Sequence, residues 1–321
     1  MELKNLKNLM EKYQVIIYLV FISLGLFFGI SFADLASKLD VILWFMLSGL
    51  LFTTFTQVPL SHIKDALKDT RFLSSAILGN FILIPLFVFA LLQFAPNDEA
   101  IRLGILLVLL LPCTDWFITF TDLGGGDTKH AIAFSPVSLI LQIILLPFYL
   151  WLFFGSEFAS DLVQKEMMFA FIFLIIIPLF LAFIFEKWVD KKPKNRKVYI
   201  EKFSYFPVPL LAFVVFIISA SKVNVVINEG KLLALLTVIF VLFLLGSILL
   251  AFFMKSLFKL SIKQGRTLAY SFGTRNSFVI LPLAITLPEP FTIVVVIVVF
   301  QSLIELLGMV FYLWFIPKKF V

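Results

Sequence analysis

Cysteine is almost missing from this chain, with Cys113 its only example. A lone thiol rules out an intrachain disulfide. With no C-x-x-C pair and only two histidines, there is no pattern for a structural metal. No cofactor is expected. No GxxxxGK[ST] loop occurs, which argues against ATP as the direct energy source. Neither histidine lies deep in an apolar run, and no paired catalytic Asp motif is evident, so an intramembrane enzyme is disfavoured. Charge is scarce as well. Only 14% of residues are charged, against roughly 25% in a soluble domain. The net charge of +6 raises nucleic acid as a partner. The basic residues cluster in short loops between apolar runs, however, which is the pattern of a membrane protein and not of a nucleic-acid binder.

Apolar residues are what the chain has in plenty. They make up 61% of it, and mean hydropathy is +1.08. Runs of about 20 apolar residues recur along the whole length, as a helix crossing a hydrocarbon core of about 30 Å requires. They are continuous and do not alternate at period two, which excludes a transmembrane barrel. Ten spans are expected, at 14–33, 40–57, 71–94, 101–121, 130–154, 166–186, 203–221, 231–254, 267–287 and 291–316. The first follows a lysine-bearing head, but it is long for a signal peptide and is expected to be retained. An even number of spans puts both termini on one side. That side holds 20 of the Lys and Arg residues and the other holds 5, which orients both termini toward the cytoplasm. The run from Lys187 to Lys202 reads as a solvated linker between halves. The expected location is the plasma membrane, the inner membrane of a bacterial cell.

Five spans precede residue 160 and five follow residue 161. Five is odd, so the second half (161–321) inserts inverted relative to the first (1–160). The fourth span of each half is interrupted and polar. The first break reads Leu111-Pro112-Cys113-Thr114-Asp115-Trp116, and the second Gly273-Thr274-Arg275-Asn276-Ser277 with Pro282 after it. Paired interrupted helices at matching places of inverted repeats point to a transporter site at mid-membrane. The bland alternative is that Pro and Gly are common in membrane helices.

Three ionisable residues, Asp115, Arg275 and Glu305, sit within these apolar runs. Each costs roughly 2.5–3.5 kcal/mol at mid-bilayer, so such residues usually mark a substrate or ion path. Cys113 is either an inert small hydrophobe or a soft ligand for a thiophilic metalloid. Glu305 is either a structural partner of Arg275 or a carboxylate that carries a proton. Asp115 and Arg275 are expected to pair where the breaks meet. The rival role for Arg275 is to grip an anionic substrate. Thr114, Thr119, Asn276 and Ser277 offer oxygens or hydroxyls. Asp122 and Asp127 flank Gly124-Gly125-Gly126, which reads as a mobile glycine-rich turn.

At these residues the chain resembles the bile acid:sodium symporter superfamily, and within it the arsenical-resistance permeases that export arsenite. Those permeases carry a Cys in the fourth span followed by a segment similar to Thr121-Asp122-Leu123-Gly124-Gly125-Gly126-Asp127, and a Glu in a context similar to Leu303-Ile304-Glu305-Leu306. The resemblance implies that Cys113 contacts arsenite and Glu305 couples to protons. It implies a panel of spans 1, 2, 6 and 7, and a core of spans 3–5 and 8–10. Two positions depart from it. The permeases have a small neutral residue at Asp115 and a Ser at Arg275. Sodium-coupled members place an acid and a Gln where Ser271 and Arg275 stand. A guanidinium there argues against sodium coupling and fits a built-in cation.

The expectation is therefore an all-α secondary transporter of ten spans, with helices four and nine broken. Its solute is expected at Cys113, Thr114, Asp115, Arg275, Asn276 and Ser277, with Glu305 as the proton-coupling group. Arsenite exchanged for protons is the favoured transport. A carrier for a small organic anion clamped by Arg275, coupled to protons or sodium, is the alternative, and a non-transporting membrane sensor is a third reading. Lipid, the solute and a proton are the expected partners.

Overall fold

A chain this apolar has to satisfy its backbone polar groups internally, and helices do so within a single segment. The computed structural model describes residues 9–10, 13–58, 68–114, 116–162, 171–191, 196–223 and 229–320. Among these residues there are helices and no β-strand. In chain order they are α1 (Gln14–Ser31), α2 (Ala33–Lys38), α3 (Asp40–Phe55), α4 (Thr70–Leu78), α5 (Ile84–Leu91), α6 (Glu99–Leu110), α7 (Trp116–Leu123) and α8 (Thr128–Leu162). Then follow α9 (Ile177–Asp190), α10 (Arg196–Phe203), α11 (Pro207–Ser221), α12 (Gly230–Leu257), α13 (Ile262–Gly273), α14 (Ser277–Ile285) and α15 (Ile293–Lys319).

Among the described residues six helical stretches are long and apolar enough to cross a membrane: Thr70–Phe94, Thr128–Leu146, Ile172–Asp190, Val198–Ser221, Gly230–Leu257 and Ile293–Lys319. Ile16–Ser31 and Ile42–Phe55 are shorter apolar helices. Large apolar side chains such as Phe27, Phe45, Leu249 and Trp314 are exposed. Side chains of this kind are at home against lipid.

The chain divides into two compact units. The first comprises Met1–Gln57, Lys165–Lys231 and Leu281–Leu287; the second comprises Val58–Gln164, Leu232–Ile280 and Pro288–Val321. Apart from Leu281–Leu287, this division follows the panel and core grouping that the resemblance implies.

In the first unit α1 lies against α11. A Cβ added to Gly25 would come within 2.4 Å of the Phe216 carbonyl oxygen, and one added to Gly29 within 2.3 Å of the Ala220 oxygen. The Gly25-x-x-x-Gly29 spacing puts both glycines on one helix face, where a bare backbone allows the close approach. Phe21 meets Phe213 edge-on beside this seam.

In the second unit, proline shapes the helix that carries Asn80. Pro85 has no N–H, so the Phe81 carbonyl loses its usual helical partner. The turn before it, Gly79–Leu83, widens to a π-helix. The Tyr149 hydroxyl donates to the freed Phe81 oxygen at 2.6 Å. Neighbouring helices commonly satisfy carbonyls released by proline in this way.

Three helix starts of the second unit are tied together at one end. Asp69 caps α4 by accepting from the Phe72 N–H at 3.1 Å. It also lies 3.0 Å from His130 Nε2 and accepts from Gln264 Nε2 at 2.6 Å. Ser261 and Gln264 form a capping box on α13. Burial pushes the Asp69 carboxyl up, but the Phe72, His130 and Gln264 contacts outweigh it, and its pKa lies below the usual 3.8. The glycine-rich segment after α7 is held in place. Gly125 adopts φ +65°, a region open to glycine. Gly126 N–H donates to Thr121 O at 2.8 Å, and Asp127 N–H donates to Thr267 Oγ1 at 2.8 Å. The expected mobile turn is thus a bonded corner.

Candidate functional site

Each of the two polar breaks has a local cause. Pro112 disfavours helical geometry at the residue before it. Leu111 is accordingly extended (φ −94°, ψ 119°), and α6 stops at Leu110. In the second break α13 ends at Gly273, with Thr274 extended at φ −100°, ψ 137°. A side chain on Gly273 would run into the Tyr312 ring, 2.5 Å away.

The breaks cross and pair. Pro112 and Arg275 form an antiparallel bridge. Cys113 N–H donates to Thr274 O at 3.2 Å, and Asn276 N–H donates to Leu111 O at 2.8 Å. The bonds come from the residues flanking the bridged pair, so the missing N–H of Pro112 costs nothing there. The Arg275 N–H is left to point elsewhere, and it donates to Glu305 Oε2 at 2.9 Å. Gln301 Nε2 donates to the same oxygen at 2.8 Å, and Ser277 Oγ donates to Gln301 Oε1 at 3.1 Å. Glu305 of α15 therefore holds the backbone of the second break.

The guanidinium of Arg275 turns back along α13. It donates to Ser271 O at 2.8 Å, Phe272 O at 2.9 Å, Asn80 Oδ1 at 3.1 Å and Leu109 O at 3.4 Å. Three of these acceptors are carbonyls in the last turns of α13 and α6, where the helix dipole is negative. The fourth belongs to the π-turn, and Asn80 is itself oriented by donating to Ser271 Oγ at 2.9 Å. The Phe243 ring lies 5.4 Å from the guanidinium carbon. A buried cation here sits at the converging ends of two half-helices.

On the other flank α8 presents polar groups. Ser135 Oγ donates to the Thr114 carbonyl, and Asn276 Nδ2 donates to Gln142 Oε1 at 3.1 Å. Cys113, Thr114, Arg275, Asn276, Ser277 and Glu305 are all buried. The structure thus gathers six of the seven expected site residues. Asp115 lies outside the described residues, and so does its expected pairing with Arg275. Among the described residues no group of three or more His, Cys, Asp or Glu could hold a metal ion.

Asn80, Ser135, Ser138, Gln142 and Gln301 belong to the same region and were not anticipated. Each is a neutral polar residue inside a long apolar run, and that is the signal that could have found them.

A family model described as the Sodium Bile acid symporter family matches residues 44–229. The chain belongs to this family. As a symporter-family protein it is an integral membrane transporter and not an enzyme. Among similar proteins is the arsenical-resistance protein Acr3 of Corynebacterium glutamicum, 20% identical over 291 residues that cover 84% of this chain and 78% of that protein. The P3 protein of Mus musculus is 24% identical over 229 residues, covering 70% of this chain and 47% of its own length. The P3 protein of Bos taurus is 25% identical over 229 residues, covering 70% and 46%. The match thus takes in about half of each P3 protein.

Proposed function

We propose that this protein is a ten-span secondary carrier that exports arsenite, or a related trivalent metalloid, in exchange for protons. The crossing of the two breaks carries the reading, because one antiparallel bridge links the Cys113 backbone to the segment held by Glu305. The ten spans are the six long helices, the two shorter apolar helices and two broken pairs, α6 with α7 and α13 with α14. They form inverted repeats at 1–160 and 161–321, with both termini in the cytoplasm and the protein in the plasma membrane.

In this reading the Cys113 thiol condenses with one hydroxyl of arsenous acid and releases water; water reverses the step on the other side. A single thiol holds the metalloid weakly enough to let it go. Glu305 carries the exchanged proton. Its carboxylate now accepts from Arg275 N–H and Gln301 Nε2, and protonation weakens both bonds and loosens the second break. Arg275 acts as a resident cation at the half-helix ends, which leaves the proton as the coupling ion. Asp115 and Thr114 complete the solute side of the first break. Similarity to the arsenical-resistance protein Acr3 supports the substrate class.

A carrier for a small organic anion is the second reading. Its support is Arg275 Nε, a buried donor without a partner among the described residues. Against it, the terminal nitrogens of the guanidinium are engaged by four protein oxygens. Flux of arsenite and of a carboxylate panel through reconstituted protein separates the two. Arsenite flux that needs Cys113 supports the metalloid carrier. Carboxylate flux that survives Cys113→Ser, with no arsenite flux, overturns it.

A further inference from the structure

Three unpaired, buried polar atoms belong to residues where α8 meets the crossing. Ser135, Ser138 and Gln142 follow one another at spacings of three and four, so they share one face of α8. The two ends of this stripe are anchored. Ser135 Oγ donates to the carbonyl of Thr114 in the first break, and Gln142 Oε1 accepts from Asn276 Nδ2 in the second at 3.1 Å. Ser138 lies one turn from each anchor and so shares their face of α8. Thr114 Oγ1, Ser138 Oγ and Gln142 Nε2 have no partner among the described residues. Thr114 is 1% exposed, and Ser138 and Gln142 are 0% exposed. Buried polar groups are nearly always paired, so three orphans in one region call for a ligand.

The orientation of the amides follows from the bonds. Asn276 Oδ1 accepts from Val279 N–H at 3.4 Å, which leaves its Nδ2 to donate. Gln142 must then accept through Oε1, and its free atom is the donor Nε2. The three residues therefore offer two hydroxyls, which donate and accept, and one amide group that only donates. None of the three is charged. A bound cation would face the amide hydrogens. An anion would find the terminal nitrogens of Arg275 already turned to carbonyls on α6 and α13.

We infer that Thr114, Ser138 and Gln142 form a subsite that recognises small neutral hydroxylated solutes through their hydroxyl groups. The inference deepens the carrier reading and rests on it for what is transported, since arsenous acid is such a solute at neutral pH. Ser138 and Gln142 then select the neutral trihydroxy form, and Cys113 adds the affinity specific to thiophilic elements.

The test uses boric acid at pH 7, a neutral trihydroxy acid with no affinity for thiols. The thermal unfolding midpoint of the full chain in detergent is followed against boric acid, with sodium chloride and potassium chloride as separate arms. A saturable rise with boric acid is expected in the wild type and in Cys113→Ser. Ser138→Ala and Gln142→Leu each raise the half-saturating concentration by about tenfold, the loss of one to two hydrogen bonds. Ser138→Ala should melt no lower than the wild type without solute, because it removes an unpaired polar atom. Gln142→Leu also removes the acceptor of Asn276 Nδ2 and should melt lower by the cost of that bond, which Gln142→Glu retains. Gln142→Glu keeps the acceptor but loses the donor, and should also lose the response. No rise in the wild type means that the orphans hold water only, and overturns the inference. A rise with sodium that Ser138→Ala abolishes marks a cation site and overturns it too. Intact boric acid binding without arsenite flux refutes the carrier reading alone. Intact arsenite flux with no boric acid response refutes the subsite alone.

Discussion

Replacing Arg275 by alanine removes a cation shared by four buried oxygens. Three of its bonds, to Ser271 O, Phe272 O and Asn80 Oδ1, measure 2.8, 2.9 and 3.1 Å. A hydrogen bond to a charged group contributes about 1.5–3 kcal/mol, so the gross loss is on the order of 5–9 kcal/mol. Returning the guanidinium to water would recover several kcal/mol, and the net cost is about 3–5 kcal/mol, as for other buried ionic groups broken from one side. At about 2 °C per kcal/mol for a chain this long, the unfolding midpoint in detergent falls by roughly 6–10 °C. Arg275→Lys keeps the charge but cannot fork to acceptors on α6, α13 and Asn80 together, and falls about half as far. If the side chain acts as a resident cation, millimolar guanidinium should restore part of the Arg275→Ala loss while leaving the wild type unchanged. An Arg275→Ala midpoint within about 2 °C of the wild type would refute the reasoning.

Three further outcomes follow from the packing and the bonds. Gly29→Leu forces a side chain where a Cβ alone would sit 2.3 Å from the Ala220 oxygen. It should separate α1 from α11 and sharply lower the yield of folded protein by size-exclusion chromatography. Tyr149→Phe leaves the Phe81 carbonyl without its 2.6 Å donor and should cost about 1–3 kcal/mol in a denaturation assay. The depressed Asp69 carboxyl contributes stability that is complete above the unfolded value of about 3.9 and is lost as pH falls through its lower folded value. Asp69→Asn should therefore melt below the wild type at neutral pH, with the difference shrinking as pH drops below about 4.

The helices and both breaks were legible in the sequence because their causes are local. Continuous apolar runs specify lipid-crossing helices, and Pro112 and Gly273 stop two of them. Cys113, Arg275 and Glu305 stood out because charge or a lone thiol is costly or rare in such runs. What escaped depended on distant parts of the chain. The Arg275 guanidinium is held by its own helix at Ser271 and Phe272 but also by Asn80, 195 residues away, within a π-turn that Pro85 provokes. The crossing itself was expected, and Glu305 as a structural partner of Arg275 was one of two expected roles, but not that the contact runs through the Arg275 backbone N–H. Neutral groups such as Ser138, Gln142 and Gln301 cost little in a membrane helix, so they leave a faint mark beside ionised ones. The Gly124–Gly126 segment looked mobile because its tethers, Thr267 and Arg266, lie about 140 residues on.

The central claim is that the crossing exchanges a metalloid for protons, and flux with simultaneous pH recording tests it most directly. Protein reconstituted into sealed vesicles is given arsenite on one side and a pH-sensitive dye on the other. The account predicts arsenite movement accelerated by an opposing proton gradient, with protons moving the opposite way. Glu305→Gln should abolish the proton movement and the acceleration, and Cys113→Ser should abolish arsenite flux. Arsenite movement that is indifferent to the proton gradient and unchanged in both variants would contradict it.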